Sequence, residues 1–335
     1  MRKAGLFFLC LILLENLAAA RIITNLEPRL NTLIAPYRSR AGVVFIDLKT
    51  GWTVSLNGSA EFPAASVAKV PVMVAAYHLA DSGKIKLDSK IRFKESDKLP
   101  GSGVLQWMKP GKEYTLWNLI RLMIVLSDNS ATKMVVEHIG LKPINEYVQS
   151  IGLGHTIILD PTMLVEPPSR EVNLTSPADM AYLLQRIVKG VDISKSSRED
   201  MLKFMRNQKY RWGIWRGVKP GTVVADKTGN LEGILNDVGI VYTPQGDYIL
   251  SVFTRDFNQK KQAREFINEV SRIVYEEYTG EKLARPAPVI KAVRVKKQIT
   301  VIKKKLSRRP SLRSRPRKGR RGPVSYRKSR TYRRR

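Results

Sequence analysis

The last 54 residues of the chain carry so much positive charge that they cannot belong to a folded core. Residues 282–335 contain 23 Lys and Arg side chains and no Asp or Glu, which is most of the formal net charge of +30 of the 335-residue chain. Few large apolar residues follow Leu306. Such a composition buries too little apolar surface to offset the entropy lost on ordering. The segment 282–335 is therefore predicted to be a disordered, strongly basic tail, and any fold has to come from the residues before it.

The first 20 residues have the pattern of a secretory signal peptide. Two basic residues precede an apolar run over residues 4–14, and small residues lead to a cleavage site after Ala20. Glu15 interrupts the run before the ~18 apolar residues that a membrane span needs. We therefore predict that 1–20 is a signal peptide. The mature protein, which then lacks Cys10, is expected to be periplasmic or on the cell surface and to have no transmembrane span.

The segment 21–281 has the composition of one ordinary globular domain. It carries 34 basic and 28 acidic side chains, so its net charge is only +6, and 43% of the whole chain is apolar. A single cysteine excludes an intramolecular disulfide and a cysteine-based zinc site. The three histidines, at positions 78, 138 and 155, have no metal-ligand spacing. We therefore expect neither a metal nor another cofactor.

Hydrophobic patterns predict an α+β domain whose antiparallel sheet is built from both ends of the segment. Two strands near its start form a hairpin, and three strands stand near its end. These strands are Ala41–Asp47, Thr53–Leu56, Thr222–Lys227, Gly239–Tyr242 and Tyr248–Thr254. Helical spacing is found over 23–37, 65–79, 116–126, 131–139, 177–188 and 262–278. The middle helices are expected to form a lobe beside a sheet of about five strands.

Two helix starts carry recognisable caps. Thr115 precedes an apolar run and is predicted to cap its helix. Ser176 is followed by Pro177 in the first helical position, and Asp179 is expected to complete a capping box with it.

Ser66 and Lys69 lie three residues apart at the start of a predicted helix. They share a helix face there, so the amine can reach the hydroxyl and can accept its proton if burial or nearby cations lower the pKa of the amine. Unpaired N–H groups at a helix start also favour a developing oxyanion. Taken alone, the pair is better explained by an ordinary core helix.

Two further short motifs stand in positions suited to a cleft. Ser127-Asp128-Asn129 lies in a predicted turn between two apolar helices, where Asp128 can fix the turn by accepting backbone N–H bonds. Lys227-Thr228-Gly229 is predicted at the end of a strand, where it offers a cation and, through Gly229, room for a close approach. Without a function, Ser127-Asp128-Asn129 would be an ordinary Asx-rich turn, and Lys227-Thr228-Gly229 would be a plain strand end.

In this order and in these contexts, the three motifs resemble those of the class A β-lactamase and penicillin-binding-protein superfamily. The likeness covers roughly 22–280 and extends to Gly101–Leu105, Thr175–Pro177 and Asn236–Val241. The resemblance implies a β-lactamase/transpeptidase-like fold. It also implies an exported serine hydrolase that opens β-lactam amides through an acyl-enzyme on Ser66.

The resemblance implies a role for each matching residue. Ser66 would be the nucleophile, Lys69 its proton acceptor or an electrostatic partner, and Ser127 a proton relay to the leaving nitrogen. The substrate-binding residues would be Asn129 for the side-chain amide, Lys227 and Thr228 for the carboxylate, Gly229 beside them, and Asn230, whose N–H would complete an oxyanion hole with that of Ser66.

One loop departs from the family pattern. Class A β-lactamases carry Glu-x-x-Leu-Asn there, and the glutamate activates the water that removes the acyl group. This chain has Glu166 followed by Ser169 and Arg170 at the places of Leu and Asn, with Glu171 as a second carboxylate. Glu166, Glu171 or neither could be the base, and loss of a general base typically costs about 10²–10⁴-fold.

Three functions therefore remain open. The first is β-lactam hydrolysis, and the second is a penicillin-binding D-alanyl peptidase-like activity with slow deacylation. The third is a non-catalytic envelope-binding module tethered by its basic tail. Arrays of Lys and Arg bind dense polyanions. Export disfavours nucleic acid as the partner, so the tail, 282–335, is expected to bind anionic cell-envelope polymers, unless it is merely solvated.

Overall fold

The computed structural model describes residues 25–162 and 172–284. The chain divides into two units, Met1–Leu283 and Ala284–Arg335, and every element named below belongs to the first. The predicted signal peptide, both loop carboxylates, Glu166 and Glu171, and the tail from residue 285 onward lie outside the described residues. Within the described ranges, no helix is long and apolar enough to cross a membrane.

A five-stranded antiparallel sheet forms the centre of the fold, in the order β2-β1-β9-β8-β7. The strands along the chain are β1 (Ala41–Asp47), β2 (Thr53–Leu56), β3 (Phe62–Pro63), β4 (Lys90–Arg92), β5 (Glu113–Thr115), β6 (Leu174–Thr175), β7 (Val223–Leu231), β8 (Ile234–Thr243) and β9 (Gly246–Thr254). Ala41 pairs with Thr254, so the two ends of the domain meet in the middle of the sheet, as predicted. The strand that carries the third motif, β7, is an edge strand.

Helices cover both faces of this sheet. They are α1 (25–34), α2 (Lys69–Asp81), α3 (Leu116–Val125), α4 (Asn129–Ile139), α5 (Leu141–Ser150), α6 (Pro177–Lys189), α7 (Lys195–Arg206) and α8 (Lys260–Thr279). All the predicted helices are present, whereas α5 and α7 were not anticipated from the sequence. The Thr115 side chain accepts a hydrogen bond from the N–H of Asn118 and so caps α3, as predicted.

Side chains of β1 alternate between two hydrophobic cores. Val43 and Phe45 pack with α1 and α8 on one face, and Val44 and Ile46 pack with the helical lobe on the other. All seven residues of β1 are buried, because a strand in the middle of a covered sheet has no polar face. The second of these two cores therefore joins the helical lobe to the sheet.

The strands β7 and β8 are longer than the sequence pattern predicted. Gly229 continues the ladder opposite Asn236, and Asn230 does so opposite Leu235. The chain reverses only near Gly233, whose φ of 68° lies in the left-handed region. The third motif therefore lies inside an edge strand, and its predicted position at a strand end is wrong.

The predicted capping box at α6 forms only in part. The Ser176 hydroxyl accepts the Asp179 N–H at 3.0 Å, as expected of an N-cap. The Asp179 carboxylate does not return this bond, because it accepts the N–H of His155 at 2.9 Å and the hydroxyl of Thr156 at 2.7 Å. Two buried donors from another segment have replaced the local partner.

Removal of this carboxylate tests the connection between α6 and the segment around His155. Asp179→Ala is expected to lower the free energy of unfolding by about 2–3 kcal/mol, because buried donors lose a charged acceptor. Asp179→Asn keeps an acceptor oxygen of the same shape and is expected to lose less than about half of that. Urea unfolding measures both variants. Equal losses would contradict the role assigned to the carboxylate.

Candidate active site

Ser66 lies in a 3-10 turn, Ala65–Ala68, that leads directly into α2. Its side chain is partly exposed, whereas the residues that follow it are buried. The turn is tied to the sheet by the buried amide of Asn236 on β8, which donates to the carbonyl oxygens of Pro63 at 2.9 Å and Ala64 at 3.2 Å. The sheet therefore fixes the position of the only exposed group of this turn.

The edge strand β7 approaches the same turn closely at Gly229. A Cβ atom on this residue would stand 3.1 Å from the carbonyl oxygen of Ala64, 3.1 Å from the Cβ of Ala65 and 3.2 Å from Val67. Contacts of that length are tighter than side chains normally make. The absence of a side chain at Gly229 therefore lets β7 lie against the turn that carries Ser66.

The second motif forms a tight turn whose backbone is held in a rare conformation. Ser127 has a φ of 52°, and Ala65, next to the candidate nucleophile, has a φ of 47°. Non-glycine residues in this region are uncommon and cluster at functional sites. Asp128 stabilises the turn as predicted, because its carboxylate accepts the N–H groups of Ala131 at 2.9 Å and Val104 at 2.7 Å.

The amine of Lys69 is fully buried and surrounded by oxygen atoms. Its Nζ lies 3.1 Å from Ser66 Oγ and 2.7 Å from the carbonyl oxygen of Ser127. It also lies 3.1 Å from Ser127 Oγ and 2.8 Å from Asn129 Oδ1. Burial and the nearby charge of Lys227 lower the pKa of Lys69 well below its ordinary value, against a smaller opposing effect of Asp128.

A second buried amine, that of Lys227, also reaches the hydroxyl of Ser127. Its Nζ lies 3.0 Å from Ser127 Oγ and 2.8 Å from the carbonyl oxygen of Thr228. Burial lowers the pKa of Lys227 to about 8, although the carboxyls of Asp226 and Asp237 act in the other direction. The hydroxyl of Ser127 thus stands between two amines.

Two buried carboxyls near Lys227 were not singled out from the sequence. Asp226 precedes it on β7, Asp237 lies on β8 opposite Thr228, and both are fully buried. Burial raises the pKa of both carboxyls, and their mutual interaction ties their titrations together. Among the described residues neither Oδ1 atom has a hydrogen-bond donor.

The remaining predicted site residues fall around this cluster, but not all of them are free. Asn129 is buried, and besides its contact with Lys69 its Nδ2 donates to the carbonyl oxygen of Pro100 at 2.9 Å. Thr228 lies on β7 and is 4% exposed, whereas Asn230 on the same strand is exposed. The fold therefore brings together Ser66 and the side chains of all three motifs.

Comparisons with known proteins agree with this geometry. A model of the Beta-lactamase enzyme family matches residues 25–278. Beta-lactamase L2 of Stenotrophomonas maltophilia is 27% identical over 221 residues, which cover 62% of this chain and 70% of that protein. Beta-lactamase CTX-M-8 of Citrobacter amalonaticus is 24% identical over 263 residues, which cover 76% of this chain and 89% of that protein.

Solved structures give the same result. A mutant of PBP-A, in an acyl-enzyme complex with penicillin G, superposes with a TM-score of 0.71 and 32% identity, over 77% of this chain and 97% of that one. The β-lactamase of Sphaerobacter thermophilus DSM 20745 has a TM-score of 0.71 and 29% identity, over 76% and 98%. The chain has the β-lactamase/transpeptidase-like fold, and it belongs to the β-lactamase enzyme family, in its class A and penicillin-binding type.

Proposed function

We propose that the protein is an exported serine hydrolase that opens β-lactam amides through an acyl-enzyme on Ser66. The observation that carries this proposal is the buried, low-pKa amine of Lys69, 3.1 Å from the Ser66 hydroxyl. A nucleophilic serine needs such a neighbouring base. The partly exposed Ser66 is the group in this cluster that a substrate can reach.

The hydrogen-bond partners of Lys69 support its role as the base. The carbonyl oxygen of Ser127 and Oδ1 of Asn129 can only accept, so each takes one N–H from the amine. A neutral amine has two N–H bonds, and both are then used. Its lone pair remains for the hydroxyl of Ser66, and the contact with Asn129 becomes part of what holds the base in position.

In the proposed reaction, protons pass from Ser66 to Lys69, from Lys69 to Ser127 and from Ser127 to the leaving nitrogen. Ser66 Oγ attacks the carbonyl carbon and gives its proton to Lys69 as the new C–O bond forms. Ser127 Oγ, 3.1 Å from that amine, hands its own proton to the leaving nitrogen as the C–N bond breaks and takes the proton from Lys69. In this scheme the N–H groups of Ser66 and Asn230 stabilise the oxyanion.

Lys227 and Thr228 are the groups proposed to bind the substrate carboxylate. Lys227 offers a buried cation, and a charge-assisted hydrogen bond in such a place is stronger than one between neutral groups. Gly229 lets the strand lie against the Ser66 turn, so the carboxylate site and the nucleophile are close together.

The rate of deacylation distinguishes an enzyme that hydrolyses β-lactams from one that only binds penicillin covalently. The altered loop sequence after Glu166 favours the slow branch, in which the protein acts as a penicillin-binding D-alanyl peptidase-like enzyme, and the likeness to PBP-A adds only weak support. A β-lactam or a peptide ending in D-alanine is then the substrate class. Neither alternative changes the acylation chemistry proposed for Ser66.

Intact-mass measurement after mixing with penicillin G tests acylation and deacylation together. An adduct of one penicillin is expected on the wild type and none on Ser66→Ala. The adduct is expected to be lost slowly, at the same rate in Glu166→Gln and Glu171→Gln. A lifetime about 10²-fold longer in either variant would identify that carboxylate as the base. The absence of any adduct would contradict the proposal.

The rate of acylation is expected to fall as the pH rises through about 8, because Lys227 then loses the charge that binds the substrate carboxylate. The rate should also fall in acid, where Lys69 takes up a proton and can no longer accept one. The second-order rate constant with a fluorescent penicillin reports these groups in the free enzyme. Lys227→Arg keeps its charge at high pH and should remove the alkaline decrease. Its persistence in that variant would exclude Lys227 as the cause.

The basic tail, 282–335, is proposed to hold the enzyme on anionic cell-envelope polymers. Such binding depends on counterion release and weakens steeply with salt. Deletion of 285–335 should abolish salt-sensitive binding to isolated envelopes and leave the acylation rate of Ser66 unchanged. Loss of acylation on the same deletion would contradict this separation. If deletion leaves envelope binding intact, the tail is not the anchor.

A further inference from the structure

Gln208 is a buried side chain that connects the candidate carboxylate site to the carboxyl pair. It lies in the segment between α7 and β7 and is fully buried. Its Nε2 donates to Asp226 Oδ2 at 3.2 Å and to Thr228 Oγ1 at 3.3 Å. None of the three sequence motifs contains it.

The orientation of the Gln208 amide is fixed by its other end. The backbone N–H of Tyr210 donates to Gln208 Oε1. A backbone N–H can only donate, so this atom has to be the amide oxygen, and the other has to be the nitrogen. The two hydrogens of that nitrogen then go to Asp226 and Thr228, so the amide has no further hydrogen to donate.

This orientation decides what the Thr228 hydroxyl can do. An amide nitrogen cannot accept, so Thr228 Oγ1 accepts from Gln208 and keeps its own hydrogen for another partner. Within residues 25–162 and 172–284, no oxygen takes that hydrogen from Thr228. The next residue back along the strand, Lys227, offers its own donors to the Ser127 hydroxyl and to the carbonyl oxygen of Thr228. The two residues that carry these donor groups are consecutive on β7.

We propose that Gln208 is a positioning residue that makes the Thr228 hydroxyl a donor, and so selects substrates with a free carboxylate. This inference rests on the proposed function, in which Lys227 and Thr228 bind that carboxylate. An ester or a neutral amide has no charge for this pair of donors. Without Gln208 the hydroxyl is free to rotate, and its hydrogen can turn away from the substrate.

Penicillin G and its methyl ester are the matched probes for this role. Gln208→Met has a similar volume and no polar hydrogen, and it is expected to lower the acylation rate with the acid about tenfold and with the ester at most about twofold. Thr228→Val removes the hydroxyl without changing its shape. In the Thr228→Val background, Gln208→Met should cause no further loss with the acid, because the two residues act through one hydrogen bond.

Binding measurements keep this test independent of the chemical step. In Ser66→Ala, the ratio of the dissociation constants for acid and ester should change about tenfold when Gln208→Met is added. Equal losses for acid and ester, or additive losses with Thr228→Val, would overturn the role of Gln208. If Gln208→Met changes the binding of the acid only, but the wild type forms no adduct on Ser66, the proposed function is contradicted and the role of Gln208 is not.

A second variant covers the possibility that Gln208→Met does not fold. Gln208→Asn keeps the amide but is one methylene shorter, so it cannot reach both Asp226 and Thr228. It is expected to show the same loss that is confined to the acid. A folded Gln208→Asn that reacts with acid and ester as the wild type does would overturn the proposal.

Discussion

The structure depends on two buried amines that meet at one hydroxyl. Lys69 and Lys227 approach Ser127 Oγ to 3.1 Å and 3.0 Å, and both amines are completely shielded from water. Two ammonium groups that contact the same hydroxyl repel each other. Each of them also loses its hydration on burial, which costs several kcal/mol per ion. The arrangement is stable only if one amine gives up its proton or if acceptors compensate the charge. Burial and the charge of Lys227 lower the pKa of Lys69, whereas the carboxyls of Asp226 and Asp237 oppose the effect of burial on the pKa of Lys227.

The charges are compensated unequally, and this difference supports the roles proposed for the two lysines. Lys69 has the carbonyl oxygen of Ser127 and the amide oxygen of Asn129 as close acceptors, and these are neutral. Lys227 has the carboxyls of Asp226 and Asp237 nearby, which hold its proton more firmly. The pKa of both lysines is lowered by burial, but only Lys227 has this pair of acids to retain its charge. In the proposed reaction the amine next to Ser66 is therefore the base, and Lys227 is the cation that binds the substrate carboxylate.

Much of the fold and of the site could be predicted, because helices and strands have periodic apolar patterns and each motif is short and continuous in the sequence. The apolar run of β1, the cap at Thr115 and the three short motifs are all visible within a few residues. The meeting of Lys69 with Ser127, 58 residues away, and of Lys227 with the same residue, 100 residues away, is not. These contacts require the strand order of the sheet, which places β7 at an edge beside the helical lobe. The sequence shows the order of the three motifs, but it does not show that Lys69 and Lys227 share the hydroxyl of Ser127.

The errors have physical causes of the same kind. The carboxylate of Asp179 left its capping box because His155 and Thr156 offered buried donors that no local pattern contains. The strand β7 was predicted to end at Lys227, because Gly229 follows closely and glycine usually marks a turn. Here the glycine serves the close packing against Ala65, and the turn belongs to Gly233. The helix α5 begins after Gly140 without a side-chain cap, so it had no start signal.

Substrate binding itself changes the balance between the two amines. The charge of Lys227 is the second largest cause of the low pKa of Lys69, after burial. In the proposed reaction a substrate carboxylate placed against Lys227 offsets that charge, so the repulsion felt by Lys69 decreases and its affinity for a proton rises. The amine is then a stronger base at the moment when Ser66 has to lose its proton. A substrate without the carboxylate would leave the repulsion in place, so the same contact that selects the substrate also prepares the base.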